Sequence, residues 1–328
     1  MRGLSGGWTY SWQGSKVEHF SEPYNTIREA LEARFGADNV IYEPGVEYDF
    51  GSDWYNEKEP CIDKAVARAA GADCIIACVG ECSYAEMPGS IKDANLSPAQ
   101  KELVRALAAT GKPLVLVLNE GRPRLVHDIV PLAAAVIDVM LPSNYGGDAL
   151  AALLAGDENF SGRLPFTYPA FPNAFTTYSF KVMEDRSTTP GIYNYENHAS
   201  VEWWFGEGLS YTTFEYSGLT VDKDSFGADD TLVFSIDVTN TGSRAGKEVV
   251  LLYSSDEIAS VMPDNRRLRA FSKVELAPGQ TRKVRLTVPA RDLAFVGFDG
   301  VWRLEEGSFT FLCGGQYVKS VCTSTSVF

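Results

Sequence analysis

Histidine and cysteine are scarce, and basic side chains are in deficit. Three histidines (His19, His127, His198) and six cysteines are spread over 328 residues. Cys74, Cys78 and Cys82 recur every four residues, but no Cys-x-x-Cys and no neighbouring histidine accompanies them. A zinc centre is therefore not expected. Cysteines this sparse do not make a disulfide scaffold, and they read instead as small core residues. The 43 acidic side chains outnumber the 29 basic ones, for a formal net charge of −14. Such a surface repels nucleic-acid phosphates and anionic lipid, so no nucleic acid and no membrane is expected as partner, while neutral ligands such as sugars remain open. No apolar run approaches the roughly 18–20 residues that cross a bilayer, and Met1 to Trp8 contain no apolar core of an export signal. Phosphate-binding Gly-x-x-x-x-Gly-Lys-Ser/Thr, dinucleotide-binding Gly-x-Gly-x-x-Gly and the Gly-x-Ser-x-Gly elbow are also missing. Nucleotide and serine-hydrolase chemistry thus lack an anchor, and no cofactor and no metal are expected.

What is present divides in two. Residues 1–170 alternate helical and strand patterns. Ile27, Leu31 and Phe35 fall on one helical face within Tyr24–Phe35. Ile62–Ala70 is helical by its alanines, and Ser97-Pro98 opens a helix that stops at Gly111. Asp148–Ala155 is a further helix, and a short one is expected near Leu125–Leu132. Strands are expected at Asn39–Tyr42, Cys74–Val79, Pro113–Leu118 and Ala134–Leu141, four in all. Cys74–Val79 is continuously apolar up to Gly80, as buried parallel strands are. This pattern predicts an α/β three-layer sandwich with a mostly parallel sheet. Its ligands are expected beyond the carboxyl ends of the strands. Residues 171–217, rich in Pro, Asn, Tyr and Phe, read as a wrapping linker. From 218 to 328 short alternating strands separated by turn signals predict an all-β sandwich.

Two loops carry unusual chemistry. Gly80–Gly89 places two carboxylates, Glu81 and Glu86, at the outlet of a buried strand. Partial desolvation there favours a general acid; the alternative for Glu81 is a pairing with Lys92 or Arg122. Gly6–Gly14 carries Trp8, Tyr10 and Trp12 among glycines and polar residues. Exposed aromatic faces suit sugar rings, and a cluster packed under the loop is the alternative. Asp49–Trp54 and Tyr55 add similar composition. In the second region, Arg266, Arg267 and Arg269 are expected either to dock on an acidic surface or to lie in a solvated loop. Asn95-Leu96-Ser97 and Asn159-Phe160-Ser161 match glycosylation acceptors.

These residues carry a resemblance. Gly6–Gly14, Gly80–Gly89, Gly111–Pro123, Gly156–Tyr168 with Ser161-Gly162-Arg163-Leu164-Pro165, and Phe205–Thr212 together resemble the C-terminal half of a glycoside hydrolase family 3 enzyme, a family of β-glucosidases and β-xylosidases. The tail from Gly218 is similar to the fibronectin type III-like domain that often follows there. The resemblance implies a retaining glycosidase in which an Asp of a preceding (β/α)8 barrel is the nucleophile. It assigns Glu86 as the catalytic acid/base, with Glu81 a poorer match, and Trp12 and Trp8 as substrate-binding residues beyond the scissile bond. It also implies an oligosaccharide or β-glucoside substrate and a barrel half in cis or in trans, since no barrel is encoded here. Alternatives are a non-catalytic carbohydrate-binding or structural remnant, and an inverting enzyme that uses Asp49, Asp53 or Asp93 as a second carboxylate. The family hints at a periplasmic or extracellular protein, although the chain has no signal peptide.

Overall fold

The computed structural model describes residues 1–53, 55–172, 177–181 and 201–328. Trp54, His198 and much of the expected 171–217 linker lie outside them. The chain forms two units, residues 1–158 with 170–172, and residues 159–169 with 173–328.

In the first unit a parallel sheet has the order β1 (Ile75–Gly80), β2 (Leu114–Asn119), β3 (Ala135–Asp138), with Ile75 level with Leu114 and Val115 level with Ala135. Leu114, Leu116, Val117 and Leu118 of the central strand are all fully buried, which is why its sequence is apolar without alternation. Helices cover both faces. Helix α1 (Ile27–Phe35) packs on α4 (Gly146–Ala155), where Ala30, Leu31 and Ala151 form a small core with Ile76 of β1 beside it. A Cβ on Gly147 would sit 2.6 Å from the Asn25 carbonyl oxygen, so glycine there lets α4 begin against the start of α1. Helices α2 (Ile62–Ala69) and α3 (Pro98–Ala108) pack together on the other side.

Local signals explain the helix ends. Thr26 and Glu29 form a reciprocal capping box at the start of α1. The Ser97 hydroxyl accepts from the Gln100 N–H at the start of α3, as the Ser-Pro pair predicts. Gly156, left-handed at φ 75°, ends α4.

Two expected elements differ. Asn39–Tyr42 is not a strand, so the sheet has three parallel strands and not four. Val40 donates back to the Ala37 carbonyl in a tight turn, Ile41 and Tyr42 are exposed, and Pro44 follows two residues later. The segment is too short between these breaks to build a ladder. The helix near Leu125–Leu132 contracts to a 3-10 turn at Val130–Leu132, where Pro131 removes a donor.

The second unit opens with a short antiparallel pair, β4 (Tyr168–Pro169) and β5 (Val201–Trp203). A β-sandwich follows: β6 (Phe214–Val221), β7 (Ser225–Phe226), β8 (Thr231–Asn240), β9 (Gly246–Asp256), β10 (Arg267–Leu276), β11 (Thr281–Pro289), β14 (Gly307–Cys313) and β15 (Gln316–Cys322). One sheet has the order β10-β9-β14-β15-β7 and the other β11-β8-β6. Leu232, Phe234, Ile236 and Val238 alternate inward along β8 and meet Phe309 and Phe311 of β14, with the Phe234 and Phe311 ring centroids 4.6 Å apart. A small third sheet joins β12 (Phe295–Val296), β13 (Trp302–Leu304) and β16 (Ser326–Val327).

Candidate active site

At the carboxyl end of β1 the chain turns through Gly80 at φ 145°, where a Cβ would lie 1.9 Å from the Asn119 carbonyl oxygen. Only glycine lets β1 and β2 end in such close contact. Below this turn Gln100 works as a bracket. Its Oε1 accepts from the Gly80 N–H at 2.7 Å, and its Nε2 donates to Glu57 at 2.7 Å and to the Tyr48 hydroxyl at 3.0 Å. Burial raises the Tyr48 hydroxyl pKa, so it stays protonated.

The two carboxylates of the loop diverge immediately. Glu81 is buried and fully engaged. Arg122 Nε lies 3.0 Å from its Oε1, Arg124 lies 3.4 Å away, and the Tyr84 hydroxyl donates to Oε2 at 3.1 Å. The Arg122 guanidinium also stacks 4.1 Å above the Tyr84 ring. Burial, followed by the Glu81 carboxylate, pushes the Tyr84 phenol up to about 12. Glu81 therefore braces the loop through the pairing with Arg122 that the sequence allowed. Arg124 and Tyr84 had given no signal as partners.

Glu86, by contrast, is exposed. Its backbone is at φ 53°, ψ −147°, a conformation that residues other than glycine rarely adopt. The structure holds it there from the preceding residue. The Gln13 side chain accepts from the Ala85 N–H at 2.8 Å and donates to the Ala85 carbonyl at 2.9 Å. The Ser83 hydroxyl donates to the Gln13 carbonyl at 2.8 Å and accepts from Arg2 at 3.0 Å. Gly7 completes the clamp, because a Cβ there would sit 1.9 Å from the Tyr84 carbonyl oxygen. Gly89 and Gly121 press on the Tyr84 ring and hydroxyl in the same way.

This clamp brings the two singled-out loops together. Trp8 follows Gly7, and Trp12 precedes Gln13, so each indole is one residue from a contact with the Tyr84-Ala85 backbone. Trp8 is 64% and Trp12 51% exposed, so neither is packed under the loop. Tyr10 stacks on buried Phe20 with centroids 5.5 Å apart, which anchors the loop between the two tryptophans. Gln13 was invisible as a functional residue. In the structure it and Gly14 are consecutive residues at φ 64° and 58°, a backbone bent to fit its partner loop.

Other candidates are occupied differently. Asp49 accepts from the Gly51 N–H, and Asp53 accepts from the Tyr55 hydroxyl. Asp93 accepts from the Asn95 backbone and side chain, which hold its carboxyl below the usual range. Asn95 is tied to Asp93 and Lys101, and Asn159 to Ser210, Tyr211 and Ala245, so both potential acceptor amides serve the fold. The arginine cluster is neither a solvated loop nor a free docking patch. Arg267 pairs with Asp264, Arg269 donates to Ser254 at 2.7 Å, and Arg266 stacks on Tyr253. Among the described residues no group of three or more His, Cys, Asp or Glu side chains is placed to hold a metal ion.

Residues 2–211 match the glycosyl hydrolase family 3 C-terminal domain, and residues 248–316 match a fibronectin type III-like domain. The fold and its matches define the carboxyl-terminal portion of a carbohydrate-cleaving enzyme class. The chain belongs to glycosyl hydrolase family 3. Among its relatives, a lysosomal beta glucosidase of Dictyostelium discoideum is 36% identical over 96% of this chain and 38% of that protein. A periplasmic beta-glucosidase of Salmonella typhimurium is 34% identical over 84% of this chain and 36% of that protein. A solved β-glucosidase from Erythrobacter marinus superposes with a TM-score of 0.79 at 29% identity, over 91% of this chain and 43% of the other. The chain thus spans about two-fifths of the length of the proteins it matches.

Proposed function

We propose that this chain supplies the acid/base half of a retaining β-glycosidase of β-glucosidase type. Glu86 is its proton donor, and Trp12 and Trp8 contact the sugar on the leaving side. The observation that supports this reading is the position of Glu86. It is exposed at the outlet of β1, in a strained backbone conformation, and clamped through Ala85 to the loop that presents the two indoles. Strain of about 1–3 kcal/mol at one residue persists only where the surroundings over-determine it, and it concentrates at functional sites.

In the first step the Glu86 carboxyl donates its proton to the glycosidic oxygen as the bond to the anomeric carbon breaks. A carboxylate from a barrel half attacks that carbon from the opposite face. In the second step Glu86, now ionised, takes a proton from the water that displaces the enzyme carboxylate. A retaining enzyme needs its two carboxyl groups about 5–5.5 Å apart across the bond, and Glu81, bound by two arginines, is not that second group. The nucleophile therefore belongs to a barrel half.

The test is hydrolysis of an aryl β-glucoside by this chain, with and without a separately expressed family barrel. The expected result is turnover only with both halves. Glu86→Gln then lowers kcat by about 10²–10⁴-fold. Family-like turnover by the chain alone, unchanged in Glu86→Gln, overturns the assignment. Because the chain spans only part of its relatives, a second reading also has support: a carbohydrate-binding or structural remnant without turnover. Failure of the barrel to restore activity, with sugar binding retained, is the result that selects it.

A further inference from the structure

The β-sandwich unit contains a cavity of about 290 Å³ between the outer end of β9, the loop leading into β10 and the small β12-β13-β16 sheet. Its wall has two characters. One side is apolar, with Val261, Met262, Phe295 and Trp302. The other carries Asp256, Asp264, Arg267, Arg269 and Lys181. Lys181 and Arg267 are both spent on Asp264, which leaves Asp256 and Arg269 as the polar pair at the cavity. Asp256 Oδ1 is buried without a hydrogen-bond partner. Arg269 uses one N–H on the Ser254 hydroxyl and one on the Asp292 carbonyl, and a guanidinium has others to give.

Trp302, which lines the cavity, is 52% exposed, and Phe298, four residues earlier on the same hairpin but not in the cavity wall, is almost wholly exposed. The hairpin that carries them is held rigid. Gly297 N–H donates to the Val301 carbonyl at 2.9 Å, Val301 N–H donates to Asp299 at 3.2 Å, and Arg303 pairs with Asp299 at 2.5 Å. These rings are therefore presented to solvent by a preorganised turn, at no further ordering cost to a ligand.

We propose that this cavity binds a single neutral pyranose unit, at the end or along the backbone of an oligosaccharide. The chemistry is matched feature by feature. A sugar ring has an apolar face for the Trp302 indole and a rim of hydroxyls. Those hydroxyls donate to the Asp256 carboxylate and accept from the Arg269 guanidinium. The volume is at the small end of ligand pockets, the scale of one ring. An anion meets the Asp256 carboxylate and a chain of net charge −14. An apolar peptide would leave Asp256 Oδ1 buried and still without a partner, which is costly. A polyhydroxylated neutral ring satisfies both walls.

The experiment is saturation-transfer difference NMR on the full chain with cellobiose and xylobiose as probes, each titrated to saturation. The expected result is a saturable signal from at least one sugar. Trp302→Ala weakens it by about tenfold, the loss of one stacking contact, and Trp302→Phe restores most of it. Asp256→Ala weakens it from the opposite wall. Trp8→Ala/Trp12→Ala leaves the Trp302-dependent component in place, which separates this cavity from the loop at Glu86. Thermal unfolding of each variant shows that it is folded before it is compared. Absence of saturable binding, or binding that survives both Trp302→Ala and Asp256→Ala, overturns the proposal.

Discussion

The two units use backbone geometry in opposite ways. All five non-glycine residues at positive φ among the described residues, Tyr10, Gln13, Glu86, Met140 and Ser143, lie in the first unit. Every one sits in a loop, outside the strands and α-helices. Among its described residues the second unit confines positive φ to glycines such as Gly279 and Gly315 at its turns, and its strands run in ladders of up to nine paired residues. An antiparallel sandwich with alternating inward residues satisfies its backbone locally, so it has no need of strained residues. A parallel sheet delivers several strand ends to one edge, and the loops there must bend sharply to converge. The difference teaches where each unit is vulnerable. The sandwich is vulnerable in its core, and the α/β unit at the contacts that hold its loops.

That contrast can be broken by experiment. Phe234→Ala removes a ring that is 1% exposed and packed on Phe311. It is expected to cost about 3–5 kcal/mol, read by denaturant unfolding, with the first unit still folded at permissive temperature. Gly7→Ala is expected to cost less, about 1–3 kcal/mol from overpacking, yet to damage activity of the reconstituted enzyme more than Phe234→Ala does. Its new methyl group collides with the Tyr84 carbonyl, which belongs to backbone and cannot swing aside. Equal damage to activity by both variants would erase the distinction. Glu86→Gly sharpens it further. Glycine accepts φ 53° without penalty, so this variant is expected to gain about 1 kcal/mol in unfolding free energy while losing turnover. A neutral or negative change in stability would show that the backbone there is relaxed.

The smallest expected effect is a pH dependence in the sandwich. Burial, opposed in part by the Ile258 N–H and reinforced by Glu305, pushes the Asp256 carboxyl up to about 6. A carboxyl whose folded pKa is raised binds its proton more tightly in the native state. Its contribution is full below the ordinary carboxylate pKa and is lost as pH rises through about 6. Asp256→Asn is therefore expected to gain stability relative to the parent between about pH 4 and pH 6. The gain is about 1 kcal/mol or less, because the group is partly solvated. Thermal midpoints across that range read it, and a flat difference would remove the raised pKa.

Much of the architecture was legible in the residues. Continuous apolar runs gave β1 and β2, Ser97-Pro98 gave the start of α3, and alternation along Leu232–Val238 gave the sandwich. The failures share a cause. Asn39–Tyr42 has strand composition but no pairing partner, and pairing is a property of the whole sheet, not of four residues. Within the candidate site, residue types marked the two loops, but not the bonds between them. The Gln13–Ala85 pair joins residues 72 apart through a side chain and a peptide group. No periodicity or charge pattern records such a link. Glu81 shows the complement: its carboxylate looked chemically interesting, and its neighbours Arg122 and Arg124 turned it into scaffolding.

The Gln13 amide offers the same donor and acceptor as a peptide unit, and so behaves as a surrogate strand for one rung. The indole-bearing loop is thereby fastened to the Gly80–Gly89 loop chiefly through the Ala85 peptide, with the Ser83 hydroxyl adding one bond to the Gln13 carbonyl. On the proposed function, its tips are free to drift in sequence and retune which leaving groups are accepted, while Glu86 keeps its aim.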